Sequence, residues 1–268
     1  MLITTWNVNG IRARALRLVE FLTERKPDVV CLQELKMKED ELDRAPLLAL
    51  GYHVAAVGQA GWNGVGVLSR EPIEPLMSQL PGAAQDAGAR FLMVRTFGMQ
   101  VVSVYIPNGK HETHPDYPLK LAWLGHLATH LEQRADQDAP LVVAGDFNVC
   151  TTDLDSYLGE RAKGTIFHTD AERALMARIT GAGLADLYRE KYPAEPGYSW
   201  WDYRAGAFHK KLGMRLDLVL ASKPVAARMT DVMVEREFRK KSKLSGAIAS
   251  DHAPVTATLA SSFTGNTA

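Results

Sequence analysis

The stretch Leu141-Val-Val-Ala-Gly-Asp-Phe-Asn-Val149 constrains the fold more than any other. An unbroken apolar run of this kind predicts a strand buried on both faces, which requires a layer of structure on each side of its sheet. Gly145 then predicts a close approach of the backbone to a neighbour. Asp146 and Asn148 stand two residues apart, so on extended chain they share a side while Phe147 points back into the core. A carboxylate and a carboxamide at the end of a buried strand are costly to desolvate without partners. The same pair also suits a plain strand-end turn in which both side chains satisfy local backbone.

Other segments end alike. Leu2–Trp6 reads as a strand running into Asn7-Val-Asn-Gly10, and Asp28-Val-Val-Cys-Leu-Gln-Glu34 as a second buried strand with a polar end. Between them Ile11, Ala15, Leu18, Val19 and Leu22 recur at helical spacing. A short helix is expected over 41–50, strands over 52–57 and 64–70, loop over 71–88, and a hairpin of 91–97 with 100–106 around Gly98. An amphipathic helix over 119–131 feeds the central strand. Beyond it the pattern predicts loop over 151–169, a helix over 172–180, an aromatic strand over 198–204, strands over 215–221 and 232–238, and a last strand after Ser250-Asp-His-Ala-Pro254. The two halves echo each other faintly, strand then Asn7-Val-Asn against strand then Asp146-Phe-Asn. That suggests two similar halves offering strand ends to one site.

With 268 residues, 46% of them hydrophobic, and no low-complexity linker, residues 1–260 are expected to form one domain and residues 261–268 a disordered tail. Thirty-one basic residues balance thirty-one acidic ones, so a polyanion-binding face must come from local asymmetry. Arg204–Lys243 supplies it, with eleven Lys/Arg against four Asp/Glu. For Arg239-Lys-Lys-Ser-Lys243 alone a solvated surface run is the simpler reading. Cys31 and Cys150 lie beside apolar runs and read as buried free thiols in a reducing compartment. No apolar run approaches bilayer-spanning length and the start shows no signal-peptide pattern, so a cytoplasmic protein is expected.

The polar groups at the strand ends are rich in oxygen: Asn7, Asn9, Glu34, Tyr105 with Asn108, Asp146 with Asn148, Asp251 with His252, and Asp217 in a hydrophobic strand. No cysteine cluster or histidine pair at zinc spacing accompanies them. This chemistry suits a hard cation, Mg²⁺ with Mn²⁺ as substitute, and Glu34 is the best single ligand. Asp217, a carboxylate in an apolar strand, needs a partner, for which a histidine or a metal is the natural choice.

Trp6-Asn-Val-Asn-Gly10, Leu32-Gln-Glu34, Tyr105-Ile-Pro-Asn108, Gly145-Asp-Phe-Asn148, Arg215-Leu-Asp217 and Ser250-Asp-His252 occur in the order found in exonuclease III and AP endonucleases. The chain therefore resembles this branch of the endonuclease/exonuclease/phosphatase superfamily over residues 1 to about 260. The resemblance implies an α/β fold, a four-layered α-β-β-α sandwich of two mostly antiparallel sheets flanked by helices. It implies Glu34 and Asn7 at the metal, with Asp251 as a second acidic group there. Asp146 would orient or deprotonate the attacking water, Asn148 hold water or phosphate, and His252 with its partner Asp217 stand beside the scissile phosphate. Tyr105 and Asn108 match phosphate-contacting residues.

The resemblance implies Mg²⁺-dependent cleavage 5′ to abasic sites in duplex DNA, with 3′-phosphodiesterase or 3′–5′ exonuclease action at abasic sites and blocked 3′ ends of duplex DNA, by a monomer, the balance of these activities left open. Lys110, Arg204 and the apolar Trp200, Met214 and Leu216 are the expected substrate contacts, Trp200 and Leu216 lining a pocket for a flipped abasic sugar. Trp201 is expected to be plain core. Two departures from the family pattern stand out: Leu35 follows Gln-Glu where Thr is usual, and the loop Asn108-Gly-Lys-His111 is of the eukaryotic type. Competing readings are a superfamily phosphodiesterase acting on RNA ends, inositol phosphates or phospholipids, and a DNA-binding module that has lost catalysis.

Overall fold

The computed structural model describes residues 1–84, 87–134, 136 and 138–260; the expected disordered tail lies outside these. The first part of the chain runs β1 (Leu2–Asn7), α1 (Ile11–Arg25), β2 (Val29–Gln33), α2 (Ala45–Ala49), β3 (His53–Val57) and β4 (Val65–Ser69). The next part runs β5 (Glu74–Met77), β6 (Phe91–Thr96), β7 (Met99–Tyr105), α3 (Asp116–Glu132), β8 (Leu141–Asp146), α4 (Asp170–Gly181), β9 (Leu184–Asp186) and α5 (Leu187–Lys191). The last part runs β10 (Trp200–Trp201), β11 (Gly213–Met214), β12 (Asp217–Ser222), α6 (Lys223–Ala226), β13 (Met229–Val234) and β14 (Val255–Leu259).

Two six-stranded sheets carry the architecture, in the orders β13-β14-β1-β2-β4-β3 and β5-β6-β7-β8-β12-β9. In each, one central pair is parallel, β1 with β2 and β7 with β8, and the other pairings are antiparallel. The apolar runs explain the layering. Along β8, Val142 and Ala144 pack between the sheets against Ile3, Cys31 and Val67, while Leu141 and Val143 face Trp123, Leu127 and Ile179 of α3 and α4. Along β2, Val29 and Cys31 enter the inter-sheet core, and Val30 and Leu32 meet Leu18, Phe21 and Leu22 of α1. Period-two alternation of residues that are all apolar thus buries both faces and gives four layers, helix-sheet-sheet-helix.

Several local expectations shift. Residues 74–77 form an edge strand in the expected 71–88 loop, and 153–155 and 159–162 are short 3₁₀ turns. The aromatic strand shrinks to Trp200–Trp201, and the expected strand over 232–238 becomes Met229–Val234 followed by a 3₁₀ turn at Arg236–Arg239. The helix expected over 119–131 starts earlier, at Asp116, and that over 172–180 starts at Asp170 behind the Thr169–Glu172 capping box. The shortened or shifted strands are set by pairing with strands further along the chain, β5 with β6, β10 with β11 and β13 with β14. Gly145 does lie against a neighbour: a Cβ there would overlap the Val104 carbonyl of β7, so the close approach is strand to strand.

Candidate active site

Sheet register assembles the polar residues. The parallel pairs bring Asn7 beside Gln33, one residue before Glu34, and Tyr105 beside Asp146. Antiparallel pairing of β8 with β12 sets Asp217 directly opposite Asp146. His252 precedes β14, the antiparallel neighbour of β1, and the indole N–H of Trp6 donates to the His252 carbonyl at 3.1 Å. Past the strand ends the backbone turns sharply. Asn9, Glu34 and Asn148 have φ of 47°, 54° and 50°, a left-handed conformation uncommon for side-chain-bearing residues.

Asn7, at the end of β1, joins the two sheets. Its Nδ2 donates to Glu34 Oε1 and to Asp146 Oδ2, each at 2.8 Å. Its Oδ1 accepts the Asn9 amide N–H at 2.9 Å, so Asn7 stands as a bridge between two carboxylates with its carbonyl oxygen on the backbone of Asn9. Asp146 Oδ1 accepts the Asn148 N–H at 3.0 Å, a local turn contact of the kind a strand end with this pair allows. Asn148 Nδ2 donates to the Ile106 carbonyl at 3.0 Å, and Asn108 Nδ2 donates to Asn148 Oδ1 at 3.3 Å.

Opposite this group, His252 Nδ1 lies 2.8 Å from Asp217 Oδ2, and its Nε2 faces Asp146 Oδ2 at 3.8 Å. Ser199 Oγ donates to the same Asp217 oxygen at 2.6 Å. Burial alone would disfavour the imidazolium, but Asp217, with Asp146 and Asp251, outweighs it and raises the His252 pKa to about 10. Asp146 moves up to about 7, first through burial and further through Asp217 and Glu34, with His252 pulling the other way. Burial and the same two carboxylates, Glu34 and Asp146, push the Tyr105 phenol far up, so it is a donor at any working pH. The Arg90 guanidinium stacks on its ring at 4.8 Å.

Glu34, Asp146 and His252 bring ligand atoms within 4.8 Å of one another, a group able to hold a metal ion. The donors fit a hard cation. Two are carboxylates, the oxygen donors a hard cation prefers, although Lys36 Nζ, 2.7 Å from Glu34 Oε2, competes for one of those oxygens. An imidazolium held by Asp217 offers a proton, not a lone pair, so the oxygens of Glu34 and Asp146 are the better ligands. Asp251 is outside this group: Asn9 Nδ2 donates to its Oδ1 at 2.8 Å and Trp200 Nε1 to its Oδ2 at 3.1 Å. Burial opposes its ionisation, yet His252, Asn9 and Trp200 hold its pKa below the usual carboxylate value.

The expected substrate residues divide. Met214 and Leu216 are buried with Cys150 in a small apolar cluster against which Phe167 and half-buried Trp200 pack. Trp201 is fully buried, as plain core should be. Lys110 and Arg204 are exposed, and each is paired with a carboxylate near in sequence, Lys110 Nζ to Asp116 at the start of α3 at 2.8 Å and Arg204 to Asp202 at 2.7 Å. Sequence reasoning passed over Lys36, Ser199, Arg90 and Lys120. Lys36 stands two residues after Glu34, a spacing that could have flagged it; the other three come from separate elements and carry no local signal.

The family model for the endonuclease/exonuclease/phosphatase family matches residues 4–252. Exodeoxyribonuclease III of Haemophilus influenzae is 32% identical over 263 residues, spanning 94% of this chain and 97% of its own. A DNA-(apurinic or apyrimidinic site) endonuclease of Dictyostelium discoideum is 29% identical over 95% of this chain and 69% of its own. Among solved structures, the Neisseria 3′ phosphatase NExo, determined with a product DNA hairpin, superposes with a TM-score of 0.91 at 34% identity, covering 97% of this chain and 99% of that one. An AP endonuclease from Archaeoglobus fulgidus gives the same TM-score at 32% identity and the same coverage. The two-sheet fold and the likeness along nearly the whole chain lead to one conclusion: this chain belongs to the endonuclease/exonuclease/phosphatase family and, within it, to the hydrolytic DNA-repair nucleases of the exonuclease III and AP endonuclease kind.

Proposed function

We propose that the protein is a Mg²⁺-dependent endonuclease that cuts duplex DNA 5′ to abasic sites and also removes blocking groups and nucleotides from 3′ ends. The observation that carries this reading is the meeting of Asp146 with the Asp217–His252 pair across 3.8 Å, beside Glu34. Glu34 and Asp146 would hold the cation, which when bound neutralises charge on the phosphate oxygens and on the leaving oxygen. Asp146, facing the Asp217–His252 pair beside that cation, is placed to orient the attacking water and take its proton. His252, kept protonated by Asp217, donates to a non-bridging oxygen as negative charge builds there. Asn148 spends one amide N–H on the Ile106 carbonyl and keeps the other for phosphate or water. Asn7 has no such surplus, because both of its N–H groups bind carboxylates. Its role is to hold Glu34 and Asp146 at a fixed separation.

The apolar cluster around Trp200, Met214 and Leu216 supports a DNA substrate from which a sugar lacking its base has turned out, since such a nucleotide gives up little stacking. Trp200 ties that cluster to the site through Asp251 and through its bridge to His252. End-labelled duplexes that are intact, 3′-blocked or carry one abasic analogue, incubated over a Mg²⁺ titration and with EDTA, test the reading. The expected result is a Mg²⁺-dependent nick 5′ to the analogue, and for Glu34→Ala the titration midpoint moves to higher Mg²⁺. No nick at any Mg²⁺ concentration refutes the activity, and an unmoved midpoint refutes Glu34 as ligand.

A further inference from the structure

Beneath the asparagine pair lies an ion pair that no solvent reaches. Lys120, on α3, and Glu172, in the first turn of α4, both have fully buried side chains and bond to each other. Burying two charges is costly, and a hydrophobic pair of similar volume would serve stability as well, so the placement of the charges is the informative feature. Glu172 is committed to structure: it accepts the Phe167 N–H at 3.1 Å and the Thr169 N–H at 3.0 Å, closing the cap of α4. Among the described residues Lys120 has one other hydrogen-bond acceptor, the backbone carbonyl of Asn148, 2.7 Å from its Nζ.

That carbonyl belongs to a residue with φ of 50°, held off the end of β8, whose own N–H donates to Asp146 Oδ1. The stem of Lys120 also supports the neighbouring loop. Gly109, with φ of +83°, approaches so closely that a Cβ there would lie 2.9 Å from Lys120 Cδ. Gly109 follows Asn108, which donates to Asn148 Oδ1. One buried lysine therefore bonds through its ammonium to the backbone on which Asn148 is built, two hydrogen bonds from Asp146, and lies with its stem against the turn that presents Asn108.

We propose that Lys120, anchored by Glu172, is a positioning residue that fixes the Asn148 backbone and through it the Asp146 carboxylate and the Asn108 amide, without itself touching substrate. The role rests on the nuclease reading above only for its kinetic consequence; the geometric consequence is independent of it. A shift of about 1 Å at reacting groups can cost on the order of 100-fold in rate.

The test compares the wild-type protein with Lys120→Met, Glu172→Gln and the double variant. Lys120→Met leaves Glu172 buried and uncompensated and should lower the melting temperature; the neutral double variant should regain much of that loss. Turnover should not follow stability. In both Lys120→Met and the double variant kcat is expected to fall on the order of 100-fold, while KM and product-DNA affinity hold. The side-chain amide resonances of Asn148 and Asn108 should shift in the double variant, a readout that needs no activity. Should Lys120→Met fail to fold, the double variant and Glu172→Gln carry the comparison. A double variant that recovers stability together with kcat, or one whose Asn148 and Asn108 amides stay in place, overturns the proposal. If the wild type proves inactive on every duplex, the nuclease reading falls and the amide resonances alone decide the role of Lys120.

Discussion

Asp146 shows how one residue takes its properties from groups distant in sequence. Asn7, Glu34, Asp217 and His252 all act on it, and its elevated pKa follows from burial among them. Removing the charge or the imidazole should therefore strike turnover and spare binding. Asp146→Asn and His252→Ala are each expected to lower incision by at least about 100-fold, the usual worth of a positioned acid or base, with duplex affinity retained in gel-shift titrations. Near-normal turnover in either variant would exclude the assigned role. The residues themselves were legible as strand-end polar groups in the sequence. The direction of the Asn7 amide was not, because it is set by the N–H of Asn9 and by a carboxylate on the other sheet.

At the scale of elements, the start of β12 is tied to its surroundings by a buried charge network. Arg215 Nε meets Asp155 Oδ1 at 2.6 Å and its Nη1 meets Asp186 Oδ2 at 2.8 Å, while Arg189 reaches the same Asp155 oxygen at 2.6 Å. This network spans the 3₁₀ turn at 153–155, the end of β9, α5 and the residue two before Asp217. Burial opposes the Asp155 charge, but Arg215, Thr151 and Arg189 overcome it and hold the pKa at about 2. The sign follows from linkage. A folded-state pKa below the unfolded value of about 3.9 contributes stability above pH 4 that is lost as pH falls through about 2, roughly 2–3 kcal/mol in all. Asp155→Asn should lose that stabilisation at neutral pH and show a shallower fall of melting temperature between about pH 4 and pH 2. Equal acid slopes for the two proteins would remove Asp155 from this account. The segment 151–169 reads as loop in the sequence because its order comes from these pairs and from short 3₁₀ turns, neither of which has a periodic signature.

For the whole molecule, the two sheets repeat one plan: a parallel central pair, antiparallel flanks, and the last residue of a central strand, Asn7 or Asp146, delivered to the shared site. The inter-sheet core encloses Cys31, whose thiol burial pushes to about 12, and Cys150 is equally buried, its thiol also raised by burial. Both thiols should be silent to a water-soluble disulfide reagent in the native protein and react with a stoichiometry of two on unfolding; fast native labelling would contradict the packing. By itself the sequence determined that the apolar strands are buried on both faces and which polar residues end them, because runs apolar at every position must be covered on both sides and polar groups at their ends stand out against them, while the layered class came with the order of the motifs. Register, the left-handed turns at Glu34 and Asn148, the bond between Asn7 and Asp146 and the ion pair under Asn148 were decided only by the tertiary structure. Each depends on which strands and helices become neighbours, and that choice is made by contacts between residues far apart in the chain.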